Sequence, residues 1–458
     1  MALLAWGASA CSMAPLYERP AAPIATHWSD GTPVAPAPQQ APVVPLHWRG
    51  FVTDPGLAHC VAQALANNRS LRQTVLDVEA ARAQYRIERA TRVPQVQLDA
   101  TGSRQRTPGQ PGVQASYEAG VGLAAFELDL FGRVRSLSDA ARHDYLASRE
   151  VADSARVSLV ADVISAYLQR DGAQHRYLLG VQVLEARDAS LRLVAQRRSA
   201  GLASELDYLD ALGLQQQGQA DLERIDREFR QASNALALLM GTADAQAQLP
   251  ALPSTEALLV QDIRPGLPSS LLEQRPDIRA AEQRLQARNA SIGAARAAFF
   301  PRIALTAAAG TRSSELSGLF GSGSRTWAFS PQITLPLFDA GTNRANLDLA
   351  WVRRDTAVAA YEQAVQGAFR DVSDALAAGD TLRREEQASA EAARAGTEAL
   401  RLASLRYRSG IDDGLRYLDA QRTDYSNRMA LAQVRTERQL ALVALFRSLG
   451  GGWEASAP

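Results

Sequence analysis

The sequence predicts a mainly α-helical protein carrying membrane-crossing β-strands, with one unit of helix, strand, strand, long helix and helix written twice. Three observations carry this expectation. The chain repeats itself, each half contains a long Pro-free stretch of helical periodicity, and each half contains two long runs of strict period two.

The repeat emerges when the chain is slid along itself. Pro94-Gln95-Val96-Gln97-Leu98 falls on Pro301-Arg302-Ile303-Ala304-Leu305 at a shift of 207 residues, as Leu130-Phe131 does on Leu337-Phe338. At a shift of 209, Gly201 meets Gly410, Tyr208-Leu209-Asp210-Ala211 meets Tyr417-Leu418-Asp419-Ala420, and Gly241 meets Gly450. A drift of two residues over such a distance marks a duplicated half-protein rather than a solenoid.

The long helices follow from spacing. Val358, Tyr361, Val365, Ala368, Val372, Ala375, Gly379 and Leu382 recur at alternating steps of three and four, a coiled-coil seam whose small residues permit close approach. No Pro interrupts 132–200 or 341–409, and at about 1.5 Å per residue each stretch spans about 100 Å. On helices alone, a dimerising coiled coil would serve.

The strands exclude that. Val96, Leu98 and Ala100 alternate with Gln95, Gln97 and Asp99, and Trp327, Phe329, Ile333 and Leu335 alternate with Thr326, Ser330, Gln332 and Thr334. Ile303, Leu305, Ala307 and Ala309 form a third run, and Val113 to Leu123 a fourth. Parity flips at Phe126, which predicts a bulge or an exit from the sheet. Each run reaches the length of a tilted transmembrane strand. Four strands cannot close, since the smallest barrels need about eight, and an open edge in lipid strands backbone groups. The chain is therefore expected to oligomerise, with twelve strands from a trimer the preferred count and a dimer or tetramer physically allowed.

Composition narrows function. The 458 residues are 46% apolar and 21% charged, with 49 basic residues, all Arg, against 49 acidic ones, which argues against nucleic-acid binding. Five His show no metal-ligand spacing and no GxGxxG opens a helix, so no catalytic, cofactor-binding or metal site is expected. Cys60 reads as a buried thiol without a partner.

Boundaries follow. Residues 1–10 read as a signal remnant and 11–50 as a Pro/Ala-rich tether. The first repeat runs 51–241, with strands about 95–104 and 113–131 and a hairpin tip at 200–204. A connection at 242–268 leads to the second repeat, 269–452, with strands about 302–312 and 326–338, a tip at 409–414 and a tail at 453–458. Gly201 and Gly410 sit where C-terminal caps belong, Ser204 with Asp207 has capping-box spacing, and Asp413 falls in Ser204's place as an N-cap. Ala8-Ser9-Ala10-Cys11 is similar to a bacterial lipobox, which would acylate Cys11.

With these pieces in place the chain resembles the TolC-like outer-membrane efflux proteins, in particular the lipid-anchored NodT-type branch serving drug and metal exporters. The resemblance is carried by Tyr17-Glu18-Arg19-Pro20, Phe126-Glu127-Leu128-Asp129-Leu130-Phe131-Gly132-Arg133, Arg275-Pro276-Asp277-Ile278 and Phe299-Phe300-Pro301. Leu335-Pro336-Leu337-Phe338-Asp339-Ala340-Gly341, Tyr407-Arg408-Ser409-Gly410 and Leu418-Asp419-Ala420-Gln421-Arg422 complete it. It implies a homotrimer with a twelve-stranded barrel in the outer membrane on a long periplasmic α-barrel. It implies a passive exit duct for drugs or other small toxic solutes, served by a periplasmic adaptor and an inner-membrane RND-type pump. The acids Asp412 and Asp413 are then expected to form a periplasmic gate, with Tyr407 and Arg408 as latch partners, and Gly201, Ser204 and Gly410 to mark the tips where an adaptor docks. The rivals are a lipid-anchored periplasmic coiled-coil adaptor or scaffold, and a type I protein secretion outlet.

Overall fold

The computed structural model describes residues 12–23, 47–106, 108–109, 112–242, 249, 258–261, 263 and 271–451. Cys11, most of the tether, most of the inter-repeat connection and the tail lie outside the described residues. The first repeat gives α1 (Trp48–Phe51), α2 (Pro55–Asn67), α3 (Arg69–Ala90), β1 (Val96–Gln105), β2 (Gln114–Leu128), α4 (Arg133–Ser199) and α5 (Glu205–Met240). The second gives α6 (Leu271–Gln274), α7 (Pro276–Ala297), β3 (Arg302–Ser313), β4 (Arg325–Thr334), α8 (Thr342–Arg408) and α9 (Gly414–Ser448). Both long helices, α4 and α8, have 67 residues, as a duplication demands.

The chain forms two compact units. One contains Val75–Val151, Asp277–Ala364 and the described residues up to Ala22. Its centre is an antiparallel four-stranded sheet in the order β1-β2-β3-β4, so the β2–β3 pair joins the two repeats and β1 and β4 are free edges. The parity flip materialises as a register shift between Leu123 and Phe126, with Ala125 at φ 35°. Two strand ends fall short of expectation. β2 stops at Leu128, where Gly132 at φ 74° turns the chain into α4. β4 stops at Thr334, because Pro336 has no N–H for a ladder. Pro331 within β4 is tolerated because that strand is an edge.

Residues 12–22 run without regular structure against α7 in the same unit. Asn289 donates to the Pro15 carbonyl at 2.8 Å, Arg296 donates to the Met13 carbonyl at 3.1 Å, and Arg19 grips Glu282 through two bonds of 2.9 and 2.6 Å.

The other unit contains Ala152–Pro276, Val365–Pro458 and Pro23–Thr74 as far as described. Its core gathers Trp48, Phe51, Leu57, Cys60 and Val61 with Val163, Ile164 and Tyr167 of α4, Leu236 and Met240 of α5, and Phe446 of α9. The Phe51 and Phe446 rings stack at 4.5 Å. Trp48 and Phe51 thus belong to the core, and the tether expected to run to residue 50 ends before α1. Asn68 breaks the first helix of the repeat: it caps α3 by accepting from Leu71 N–H at 2.9 Å and donates to the Leu239 carbonyl at 2.9 Å. The α8 seam is buried where the spacing placed it, at Tyr361, Val365, Ala368, Val372 and Ala375. Gly450 and Gly451, both at positive φ, end α9 as terminators. Among the described residues no helix is long and apolar enough to cross a membrane.

Candidate functional site

Register assigns every strand residue to one of two faces. Reading across the sheet, Leu98, Val121, Ala309 and Trp327 share one row, and Val96, Leu123, Ala307 and Phe329 share the next. Beyond the bulge, Phe126 with Leu305 and Pro331, then Leu128 with Ile303 and Ile333, continue the same face. Those rows are apolar on all four strands. The opposite face carries Gln97, Asp99, Thr101, Ser103, Glu118, Glu127, Thr306, Ser330 and Gln332 beside small residues.

Three ion pairs organise the polar face. Arg312 meets Glu118 at 2.6 Å, and Glu127 is held at 2.6 Å by both Arg133 and Arg302. Gly120 lies opposite Gly310, and a Cβ at Gly120 would stand 2.7 Å from the Ala309 carbonyl oxygen. Only glycine allows β2 and β3 to approach there. At about 3.3 Å per residue the 12 residues of β3 measure about 40 Å, enough to cross hydrocarbon at a tilt of 35–45°.

The second functional element is the pair of hairpin turns. In the first, Gly201 adopts φ 74° and Leu202 N–H donates back to the Arg197 carbonyl at 2.8 Å. Ser204 then opens α5 with a reciprocal capping box to Asp207, at 3.1 Å from the Asp207 N–H and 2.8 Å from the Ser204 N–H to the Asp207 carboxylate. In the second, Gly410 adopts φ 70° and Ile411 N–H donates to the Arg406 carbonyl at 2.9 Å. Asp413 opens α9 by accepting from the Arg416 N–H at 3.3 Å, the N-cap role its position predicted. The turn is 409–413, one residue shorter than expected, because Gly414 already belongs to α9.

Asp412 has a different environment. Arg406 donates to both of its oxygens, at 2.7 and 2.9 Å, and Arg416 lies at 3.9 Å. Hydrogen bonds from Arg406 are the largest influence holding the Asp412 carboxyl below the usual carboxylate range. Arg408 is exposed and forms no ion pair among the described residues. Tyr407 is buried, stacked on Tyr417 at 5.2 Å, with the Arg197 guanidinium 4.3 Å above its ring. Arg197 also donates to the Tyr407 carbonyl at 3.3 Å, so the first hairpin is tied to the second at this ring.

The structure thus brings Asp412, Asp413 and Gly410 into one turn, with Tyr407 on the last turn of α8 before it, and Gly201 and Ser204 into the other, and leaves Arg408 apart from Asp412. Sequence reasoning missed Arg197. The signal was available, because the shift of 209 places Arg197 on Arg406 and Ala203 on Asp412, marking both the shared cation and the acid peculiar to the second copy.

Comparison with known proteins follows this geometry. The family model described as outer membrane efflux protein matches residues 60–242 and 267–451. The outer membrane protein OprJ of Pseudomonas aeruginosa is 56% identical, over 99% of this chain and 95% of that protein. The toluene efflux pump outer membrane protein TtgC of Pseudomonas putida is 41% identical, over 99% of this chain and 95% of its own length. Among solved structures, the open-state MtrE outer membrane channel of Neisseria gonorrhoeae superposes with a TM-score of 0.87 at 41% identity, covering 96% of this chain and 98% of that one.

Proposed function

The chain belongs to the outer membrane efflux protein family, and from that premise we infer that three copies close their sheets into one twelve-stranded barrel and form the exit duct of a tripartite efflux pump. The observation that carries this reading is the four-stranded sheet with one face apolar from the Leu98 row to the Leu128 row, one polar face and two free edges, β1 and β4. Lipid on the apolar side leaves the edges no partner but another copy, since unpaired backbone groups cost several kcal/mol each in hydrocarbon. The polar side, lined by small residues, then encloses water. Passage needs no chemistry from the chain. An inner-membrane RND-type pump supplies the work, and a periplasmic adaptor docks at the turns around Gly201, Ser204 and Gly410. Relatives named as outer membrane proteins of toluene and antibiotic efflux pumps support small toxic solutes as the cargo.

The mouth is gated by the second turn. Asp412, pinned by Arg406, presents one acid per copy; Asp413 caps α9 beside it, Tyr407 locks the turn to the first hairpin, and exposed Arg408 reaches toward a neighbouring copy. Acylation at Cys11 anchors the chain to the outer membrane.

Extraction in detergent followed by unheated gel electrophoresis tests the assembly. A heat-modifiable trimer that conducts ions in a planar bilayer is expected. A water-soluble monomer that needs no detergent would remove the duct and leave a periplasmic scaffold.

A further inference from the structure

The charges of the sheet are segregated by face. All three strand acids, Asp99, Glu118 and Glu127, lie on the polar face, and the strand arginines there, Arg302 and Arg312, are paired with them. The apolar face carries two arginines, Arg104 and Arg325, and no strand acid. Both are exposed, and among the described residues neither forms an ion pair. A second copy cannot neutralise them through its strands, because the same face of every strand lacks an acid.

Their height is equally specific. β1 leaves α3 and β2 enters α4, so the end of the sheet away from the helices is the end at Gln105 and Arg325, beside the connection 314–324. Approaching that end along the apolar face, Trp327 comes first, in the Leu98 row. Arg325 follows in the row of Ala100, Tyr117 lies opposite Gly102, and Arg104 lies opposite Ala115. Aromatic residues followed by cations mark the boundary between hydrocarbon and headgroups. An outward arginine is costly at the bilayer midplane and nearly free near the interface, where its own charge still lacks an anion.

We propose that Arg104 and Arg325, outward-facing on the two edge strands of each sheet, each bind a phosphate group of phosphorylated glycolipid in the outer leaflet around the barrel. The guanidinium fork matches phosphate bidentately, and the paired arginines of the polar face show that this chain supplies carboxylates where it intends neutralisation from within. The inference rests on the reading that the apolar face meets lipid. That reading is checked separately by the heat-modifiable oligomer.

The test uses the purified full-length channel in detergent, titrated with a bis-phosphorylated, acylated diglucosamine and with the same lipid after enzymatic dephosphorylation. Bound lipid is read by native mass spectrometry. The wild type should need about tenfold more of the dephosphorylated lipid for equal occupancy, and Arg104→Gln/Arg325→Gln about tenfold more of the phosphorylated one. Arg104→Lys/Arg325→Lys should recover part of that loss, and raised salt should weaken the wild-type interaction. Equal occupancy with both lipids, or with wild type and an assembled Gln variant, overturns the proposal. If the Gln variant does not assemble, the lipid pair and the salt series on the wild type decide alone.

Discussion

Arg406 and Asp412 are joined by two hydrogen bonds, 2.7 and 2.9 Å long, across the turn that reverses the second long hairpin. The bonds span six residues and fix the turn from outside, while Asp413 fixes it from within by capping α9. Because the pair is exposed, its worth lies in geometry rather than in stability. Arg406→Ala and Asp412→Ala should therefore raise single-channel conductance in planar bilayers without changing the temperature at which the oligomer dissociates. Arg408→Ala should raise it less, since Arg408 forms no ion pair among the described residues of its own chain. Conductance unchanged in both Arg406→Ala and Asp412→Ala channels would remove the gate from this turn.

The same pair sets a pH dependence. The folded-state value of Asp412 is depressed, so the interaction is fully present above the ordinary Asp value of about 3.9 and is lost as pH falls through the depressed one. Conductance controlled by Asp412 should stay flat from about pH 7 to about pH 5 and rise only in stronger acid. A rise centred near pH 6 would point to a histidine instead.

Gly120 and Gly310 face each other where β2 meets β3, the seam between the two repeats. A Cβ at Gly120 would lie 2.7 Å from the Ala309 carbonyl, which is backbone and cannot yield, whereas a Cβ at Gly122 would lie 3.2 Å from the Asp99 carboxylate, which can swing away. Gly120→Val should lower the amount of heat-modifiable oligomer in outer membranes severalfold, at a cost of about 1–3 kcal/mol for the forced shift. Gly122→Ala should assemble normally. Equal yields from both would show that the seam is looser than its geometry.

How much of this was legible depended on the range of the interaction that decided each feature. The seam of α8, the bulge before Phe126 and the caps at Ser204 and Asp413 are set by neighbours within a few residues, and spacing alone exposed them. The sheet order was not legible, because the duplication gives two hairpins without saying that they meet at β2 and β3. The partner of Asp412 was not legible either. Arg406, Arg408 and Arg416 all lie within reach along the chain, and only the direction in which Gly410 turns it selects Arg406. Arg197 was further hidden, since its ring partner Tyr407 lies 210 residues away.

Glu282 is the anchor of the N-terminal strap. It is buried, accepts from Arg19 twice and from the Tyr17 hydroxyl at 3.1 Å, and burial with its charge pushes the Tyr17 phenol up to about 12. Glu282→Gln keeps the shape and removes the charge, so the strap should detach more often. Chymotrypsin should then cut after Leu16 or Tyr17 about tenfold faster than in the wild type, the scale expected when a charged hydrogen bond is weakened. Unchanged cleavage would mean that Asn289 and Arg296 hold the strap without it.

Cys60 sits in the core beside Tyr167, fully enclosed, and burial pushes its thiol up to about 11. The thiol stays protonated in the folded state, so a maleimide at pH 8 should leave Cys60 unlabelled until the protein is denatured, and then label it completely. The raised value also fixes the sign of the alkaline response. The stability linked to this group is whole below the unfolded thiol value of about 8.5 and declines as pH climbs toward about 11, because the unfolded chain loses its proton first. The denaturation midpoint should fall further between pH 8 and pH 10 in the wild type than in Cys60→Ala, whose own decline gives the general effect of alkali. Rapid labelling of the native oligomer would show that α2 opens from the core on the timescale of the reagent.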